Sequence, residues 1–326
     1  MKIILQKLAI LFLFLISQTA FGDNTSSWET FITELRVEAI AQGIRPAIFD
    51  EAFLNIHSPS PRVLHLDHTQ PERRLSFLEY RDTRVDNYRI QLGRREWLRH
   101  QEALDNISRQ YGINACFIVS IWGLETSYGR YKGNFPVIQS LATLAYDPRR
   151  SAYFRHELFM ALQMLNNGQV NLKDFKGEWA GASGHCQFMP STWLKYATSY
   201  QAAGKADIWN NVDDALASIA NFLEKNGWHK DEPWAISIAL PLEFDIQLLG
   251  TNIVKPVKEW LELGVKITDD ASLPPDTLPA SIISFNEDGP TFMVFDNFKT
   301  LLKWNRSNYY AGTLGYLAEE ICQQKL

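Results

Sequence analysis

One carboxylate stands out as a group that could do chemistry. Glu125 lies in Ile121-Trp122-Gly123-Leu124-Glu125-Thr126-Ser127-Tyr128-Gly129, four residues after Ile121 and three after Trp122. On a helix it projects from the same face as both. Desolvation on an apolar face raises a carboxyl's pKa, which suits a general acid working near neutrality. The same placement also fits a glutamate at the rim of a buried helix with its head in water. Further on, Arg149-Arg150 opens a strongly patterned helical segment. The helix dipole disfavours cations at that end, so the pair either grips an anion or carboxylate or stands as a solvated charged pair. From Gly177 to Ser191 three glycines and two alanines let backbone come close to another element or to a ligand. Gln187 and Ser191 are the hydrogen-bonding candidates there. His185 has no serine or cysteine motif in support and reads as a packed or surface residue.

The elements that must position these groups are mostly helical. Tyr111-Gly112 closes one helix, Asn114 can cap the next, and Ile118, Ile121, Trp122 and Leu124 follow a 3.6-residue rhythm until Gly129 supplies a stop. Glu102 to Tyr111 is expected as the antiparallel partner of the Glu125 helix. Ser27 to about Ala52 reads as one amphipathic helix, Ser58-Pro59-Ser60-Pro61 as a loop, and Gln70-Pro71-Glu72 as a break. Helices follow over Ser140–Tyr146, from Arg149-Arg150 to Leu165, from Pro190, and over Asp213–Gly227. Trp234–Leu240, Ile282–Phe285 and Thr291–Phe295 read as strands, and a last helix runs from about Tyr309 to Cys322. The fold class is α+β, mainly helical, with a small strand-bearing section after residue 233.

The start of the chain reads as an export signal: Lys2 and Lys7, an apolar run from Leu8 to Ile16, and Ala20-Phe21-Gly22 before a cleavage at Asp23. The run is shorter than the roughly 20 residues of a membrane span. No cysteine lies beside the cleavage point, so an exported, soluble, periplasmic protein without a lipid anchor is expected. Of 326 residues, 46% are hydrophobic and 21% charged, an ordinary globular balance. The formal charge of −5 gives no reason to expect nucleic acid or an anionic lipid surface as partner. Ten tryptophans hint at sugar platforms but serve a large core equally well. Cys116, Cys186 and Cys322 match neither a disulfide framework nor a zinc site. One bridge is possible, and three buried thiols are the preferred reading.

Taken in order, Trp122-Gly123-Leu124-Glu125-Thr126, Leu141-Ala142-Thr143-Leu144, Arg149-Arg150, Trp179-Ala180-Gly181-Ala182, Gln187-Phe188-Met189-Pro190-Ser191, Asp207-Ile208-Trp209 and Trp304-Asn305-Arg306-Ser307 resemble the lytic murein transglycosylases of the membrane-bound-lytic-transglycosylase-B type. The resemblance implies a lysozyme-like catalytic core at 111–232, preceded by an N-terminal helical region at 23–110 after a signal peptide at 1–22. A C-terminal α/β section at 233–326 would complete the cleft. It implies cleavage of the β-1,4 bond between N-acetylmuramic acid and N-acetylglucosamine in peptidoglycan, leaving a 1,6-anhydromuramoyl end. One glutamate, here Glu125, would act as acid and then as base, so no second catalytic carboxylate is needed. By position, Arg149 and Arg150 line the cleft, Gln187 bonds near the glutamate, and Trp304, Asn305 and Tyr310 contact saccharide. Asn305 could instead only cap the final helix, and Trp304 could only fill core.

Three positions depart from the family. Glu178 replaces the usual serine before Trp179, where it could touch substrate or act as a second carboxylate. Phe222 stands where tyrosine is common, so one cleft hydroxyl is missing. A calcium loop found in some members corresponds to 199–211, where only Gly204 is kept and Lys205 places a cation, so no metal or other cofactor is expected. Expected partners are peptidoglycan glycan strands, with cell-wall synthesis enzymes as further candidates, and the protein is expected to be a monomer. The alternatives are a hydrolytic muramidase using Glu125 with Glu178, and a catalytically dead peptidoglycan-binding protein.

Overall fold

The computed structural model describes residues 27–69, 75–201, 204–268, 273–285 and 289–323. The expected signal peptide and the Gln70-Pro71-Glu72 break lie outside the described residues. Among the described residues the N-terminal region forms six helices: α1 (Trp28–Ala41), α2 (Pro46–Phe53), α3 (Pro61–His68), α4 (Phe77–Asp82), α5 (Asn87–Arg99) and α6 (Gln101–Tyr111). The single helix expected over Ser27–Ala52 is therefore two. Gly43 turns with φ +88°, and Pro46, which cannot donate to a preceding turn, starts α2. The expected loop at Ser58–Pro61 likewise ends in a helix start, with Ser60 capping α3 and Pro61 at its first position.

The helix carrying Glu125, α7 (Ala115–Thr126), is begun by Asn114, whose side chain accepts from Cys116 N at 2.9 Å. Eight of its twelve residues are buried, so it runs through the core and does not lie on it. It ends two residues earlier than Gly129 would put it, because Ser127, Tyr128 and Gly129 all take left-handed backbone. That turn folds the Tyr128 ring back over Gly123, where a Cβ would come within 2.6 Å of it.

After β1 (Phe135–Pro136) come α8 (Val137–Tyr146) and α9 (Ser151–Asn166), then β2 (Lys176–Gly177), which pairs antiparallel with β1. Next are α10 (Pro190–Tyr196) and α11 (Val212–Lys225). The strand-bearing section holds β3 (Ala235–Ala239), β4 (Lys255–Pro256), α12 (Val257–Glu262), β5 (Lys266–Ile267), β6 (Pro279–Ser284) and β7 (Thr291–Val294). They form an antiparallel sheet in the order β4-β6-β7-β3-β5, over a small core of its own around Trp260, Ile282 and Met293. The chain then returns to the main core through α13 (Asp296–Trp304) and α14 (Asn308–Cys322). The result is the expected mainly helical α+β fold, with its large core running from Trp28 to Ile321.

Cys116, at the start of α7, is bonded to Cys322, at the end of α14, across 206 residues, and Cys186 stays free and buried. This corrects the preference for three buried thiols: the partners meet only because α14 docks against α7. Closing so long a loop restricts the unfolded chain. Cys322→Ser should cost about 2–4 kcal/mol in urea unfolding under oxidising conditions. The unfolded, unreduced wild-type chain should titrate as one thiol, and three reactive thiols would refute the bridge.

Candidate active site

Glu125 sits at the last turn of α7, half-buried, and two donors reach the same oxygen. Trp304 Nε1 donates to Glu125 Oε1 at 2.8 Å, and the Tyr310 hydroxyl donates to it as well. Trp304 is the last residue of α13 and Tyr310 lies in the first turn of α14, so the donors flank the turn joining the two helices. Within that turn Asn305 Oδ1 accepts from Ser307 N at 3.1 Å, and Ser307 Oγ caps Tyr310 N at 3.3 Å. Burial pushes the Glu125 carboxyl up, and the bonds from Tyr310 and Trp304 oppose but do not cancel that push. Burial, then the neighbouring Glu125 charge, drives the Tyr310 phenol well above its ordinary value. It therefore stays a donor.

Aromatic rings wall the site. Phe222 of α11 meets the Trp304 ring edge-on at 4.8 Å, and Phe188 packs on it at 5.5 Å. The tyrosine-to-phenylalanine departure at 222 thus keeps the packing that orients Trp304. Tyr80, on α4, was not singled out in the sequence. It is half-buried, and burial together with the Glu125 charge raises its phenol, while Arg84, stacked over its ring, opposes this.

The glycine-rich segment approaches backbone, as its composition suggested. A Cβ on Gly177 would come within 2.1 Å of Ala182 O, and one on Gly133 within 2.1 Å of Gly177 O. Glu178 N donates to Ala182 O at 2.7 Å and Glu178 O accepts from Gly181 N at 2.9 Å, closing a tight turn. Among the described residues no hydrogen bond or ion pair joins Glu178 to Glu125. Gln187, with φ +51°, spends its amide nitrogen on Lys132 O at 3.3 Å and Gly184 O at 3.0 Å, leaving its carbonyl oxygen to accept. Ser191 is not a free hydrogen-bonder: its N and Oγ both bind the buried Glu157 carboxylate, at 2.9 and 2.6 Å.

The arginine pair is held from behind. Each Asp67 oxygen accepts from one guanidinium, Oδ2 from Arg149 and Oδ1 from Arg150, and the Asp67 side chain is only 4% exposed. Asp147 adds bonds to Arg149 N and Nε at 3.0 and 3.2 Å and meets His68 at 2.9 Å. Partial burial would raise Asp147, but His68 and Arg149 hold its carboxyl below the usual range. These acids offset the dipole cost of two cations at the start of α9. Both arginines keep about half their side-chain surface open, 49% and 52%, and no direct bond links this cluster to Glu125 among the described residues. His185, as expected, is a packed residue.

The elevated Glu125 has a thermodynamic signature. Its folded pKa lies above the unfolded value, so native stability is greatest below the unfolded value and falls as pH rises through the folded one. Glu125→Gln keeps an acceptor for Tyr310 and Trp304 but cannot ionise. Its Tm should exceed that of wild type at pH 7, and the gap should close as the pH is lowered toward 4. A gap that widens on acidification would mean that Glu125 is stabilised as the anion.

The transglycosylase SLT domain family matches residues 27–319. SltB3 from Pseudomonas aeruginosa, solved in complex with NAG-anhNAM-pentapeptide, superposes with a TM-score of 0.87 at 37% identity, covering 91% of this chain and 80% of that one. The Escherichia coli lytic transglycosylase Slt35 in complex with calcium gives 0.76 at 27% identity, covering 92% and 93%. Membrane-bound lytic murein transglycosylase B of Escherichia coli K12 is 36% identical over 162 residues, which is 49% of this chain and 45% of that relative. The matched stretch thus spans less than half of that curated relative. With the family match running from α1 into α14 around the Glu125 site, the chain belongs to the transglycosylase SLT domain family, in its membrane-bound-lytic-transglycosylase-B type.

Proposed function

We propose that the protein is a lytic transglycosylase that cleaves the β-1,4 bond between N-acetylmuramic acid and N-acetylglucosamine in peptidoglycan. The observation that carries this reading is the Glu125 carboxyl: raised by burial, with two donors fixed on Oε1 and Oε2 left for substrate. The protonated acid gives its proton to the glycosidic oxygen as the C1–O bond breaks. Tyr310 and Trp304 stabilise the carboxylate that results. The same carboxylate then takes the proton of the muramoyl C6 hydroxyl as O6 closes on C1. Proton and bonds balance without water, and the 1,6-anhydro end follows. In this reading Arg149, Arg150, Gln187, Phe222, Trp304, Asn305 and Tyr310 line the substrate groove. The NAG-anhNAM-pentapeptide complex of SltB3 is consistent with such a product.

Two further readings belong to the proposal. The Cys116–Cys322 bridge fits an oxidising compartment and so an exported, periplasmic protein. Among the described residues no helix is long and apolar enough to cross a membrane. The loop at 199–211 functions without calcium. Asp214 already accepts Tyr200 N at 2.8 Å and Asp207 N at 2.9 Å, and Lys205 Nζ donates to Gly168 O at 2.7 Å. Carboxylate oxygens bound to backbone amides, with an ammonium on the same loop, are a poor donor set for a hard cation.

Digestion of purified sacculi followed by mass spectrometry should give anhydromuropeptides. Products with reducing ends alone would favour a muramidase pairing Glu125 with Glu178. Glu125→Gln should lose at least about 10²-fold in cleavage rate, the lower range for a general acid–base group. An unchanged rate would refute its role, and a wild-type protein that binds sacculi without cutting them would make it a binding protein. Chelation should leave Tm and activity unchanged, whereas a calcium-dependent rise in Tm that Asp207→Asn removes would place an ion in the loop.

A further inference from the structure

Glu125 is the last residue but one of α7, and helix ends fray because no further turn holds them. Ser127, Tyr128 and Gly129 then take left-handed backbone and carry the chain away from the helix axis. An acid that must meet a glycosidic oxygen needs its Cα fixed, since a misplacement of about 1 Å can cost on the order of 10²-fold in rate. The restraint has to come from outside α7, and His185 is placed to supply it.

Trp122 Nε1 donates to His185 Nδ1 at 3.0 Å, and Thr126 Oγ1 donates to His185 O at 2.9 Å. Gly129 N donates to the same Thr126 hydroxyl at 2.9 Å, and the imidazole lies so close to Gly129 that no Cβ would fit there. Trp122 stands three residues before Glu125 and Thr126 one after it, so these bonds bracket the carboxylate along the chain. His185 is held in turn by its own N–H, which donates to Ile208 O at 2.8 Å. Trp122, Thr126 and His185 are all buried, so water does not compete for these bonds.

The Trp122 bond also fixes the tautomer. An indole can only donate, so Nδ1 is the acceptor and the proton of the neutral ring sits on Nε2. A protonated imidazole would set two donors against each other along that bond. Burial first, then the Lys132 ammonium 3.5 Å from Nε2, lowers His185 to about 4; His100 acts in the same direction and Asp207 against it. The ring is therefore neutral near pH 7 and Nδ1 stays free to accept. Three residues on, Phe188 packs at 5.5 Å on the Trp304 ring, whose Nε1 donates to Glu125 Oε1. One short segment thus meets both the helix end that carries the carboxylate and the indole that binds it.

We propose that His185 is a positioning residue for the reaction: through Trp122 and Thr126 it fixes the end of α7 so that Glu125 stays desolvated and bonded to Tyr310 and Trp304. It touches no reacting atom. Its effect on rate rests on the proposed cleavage, whereas its effect on the Glu125 carboxyl does not. A histidine that only filled space could be replaced, in a protein that still folds, without changing that carboxyl.

The test compares His185→Leu with His185→Asn in the full protein. The two replacements have nearly the same shape, so the packing lost with the ring is common to both, but only asparagine puts an acceptor where Nδ1 stood. The Glu125 carboxyl is titrated by carbon NMR, and cleavage of soluble glycan strands is resolved into kcat and KM. In His185→Leu the Glu125 midpoint should fall toward the ordinary carboxylate range, and kcat should drop at least about tenfold with KM within about twofold of wild type. His185→Asn should restore most of both. Trp122→Phe removes the donor while keeping His185; it should repeat the leucine result, and it decides the matter if His185→Leu does not fold. A lowered Tm with the midpoint and kcat of wild type would overturn the proposal, and so would an asparagine variant no better than leucine. A protein that cuts no glycan, while its Glu125 midpoint moves as stated, would refute the cleavage reading and leave this one standing.

Discussion

The site depends on one balance: the cost of burying Glu125 against the two hydrogen bonds that reach its Oε1. Hydrogen bonds to a charged group are worth about 1.5–3 kcal/mol each, and here they leave the carboxyl raised, so desolvation prevails. Had the donors prevailed, Glu125 would be a permanent carboxylate able to act as base but not as acid. Had there been none, the anion formed after proton transfer would have no stabilisation. The observed balance suits a group that must hold a proton in one step and take one in the next.

Much of the scaffold exists to keep that balance in place. Glu125 is desolvated because α7 runs through the core and because Phe188 and Phe222 pack around Trp304. The left-handed turn at Ser127–Gly129 lets Tyr128 cover Gly123 and leaves no room for a Cβ on Gly129, which would sit 2.3 Å from the His185 ring. A side chain larger than hydrogen at either glycine would push the end of α7 away from its neighbours.

What could be read in the sequence was local. Asn114, the apolar rhythm and Glu125 lie within twelve consecutive residues, and the close-packed glycines from 177 to 184 are equally contiguous. The split of the first helix was also legible, since Arg45-Pro46 is a start signal, but the amphipathic pattern on either side masked it. The partners that decide charge and covalent state were not legible. Asp67 lies 82 residues before Arg149, Glu157 lies 34 before Ser191, and Cys322 lies 206 after Cys116. Nothing in residue type or spacing names such partners. Trp304 and Tyr310 entered only through the resemblance, because their role depends on the turn between α13 and α14 facing α7.

That facing is held at both ends. Cys116 begins α7 and Glu125 ends it, whereas Tyr310 stands near the start of α14 and Cys322 ends it, so the two helices run antiparallel. At about 1.5 Å per residue, the anchors are separated by roughly 13 Å along α7 and 18 Å along α14. A disulfide closes one end, the Tyr310–Glu125 bond closes the other, and Ser120 Oγ donates to Leu314 O at 2.8 Å between them. With the far end fixed covalently, sliding of α14 along α7 is opposed, and such sliding is the motion that would carry Tyr310 off the carboxylate. The bridge therefore constrains the folded site as well as the unfolded chain, by fixing the register in which the phenol meets Glu125.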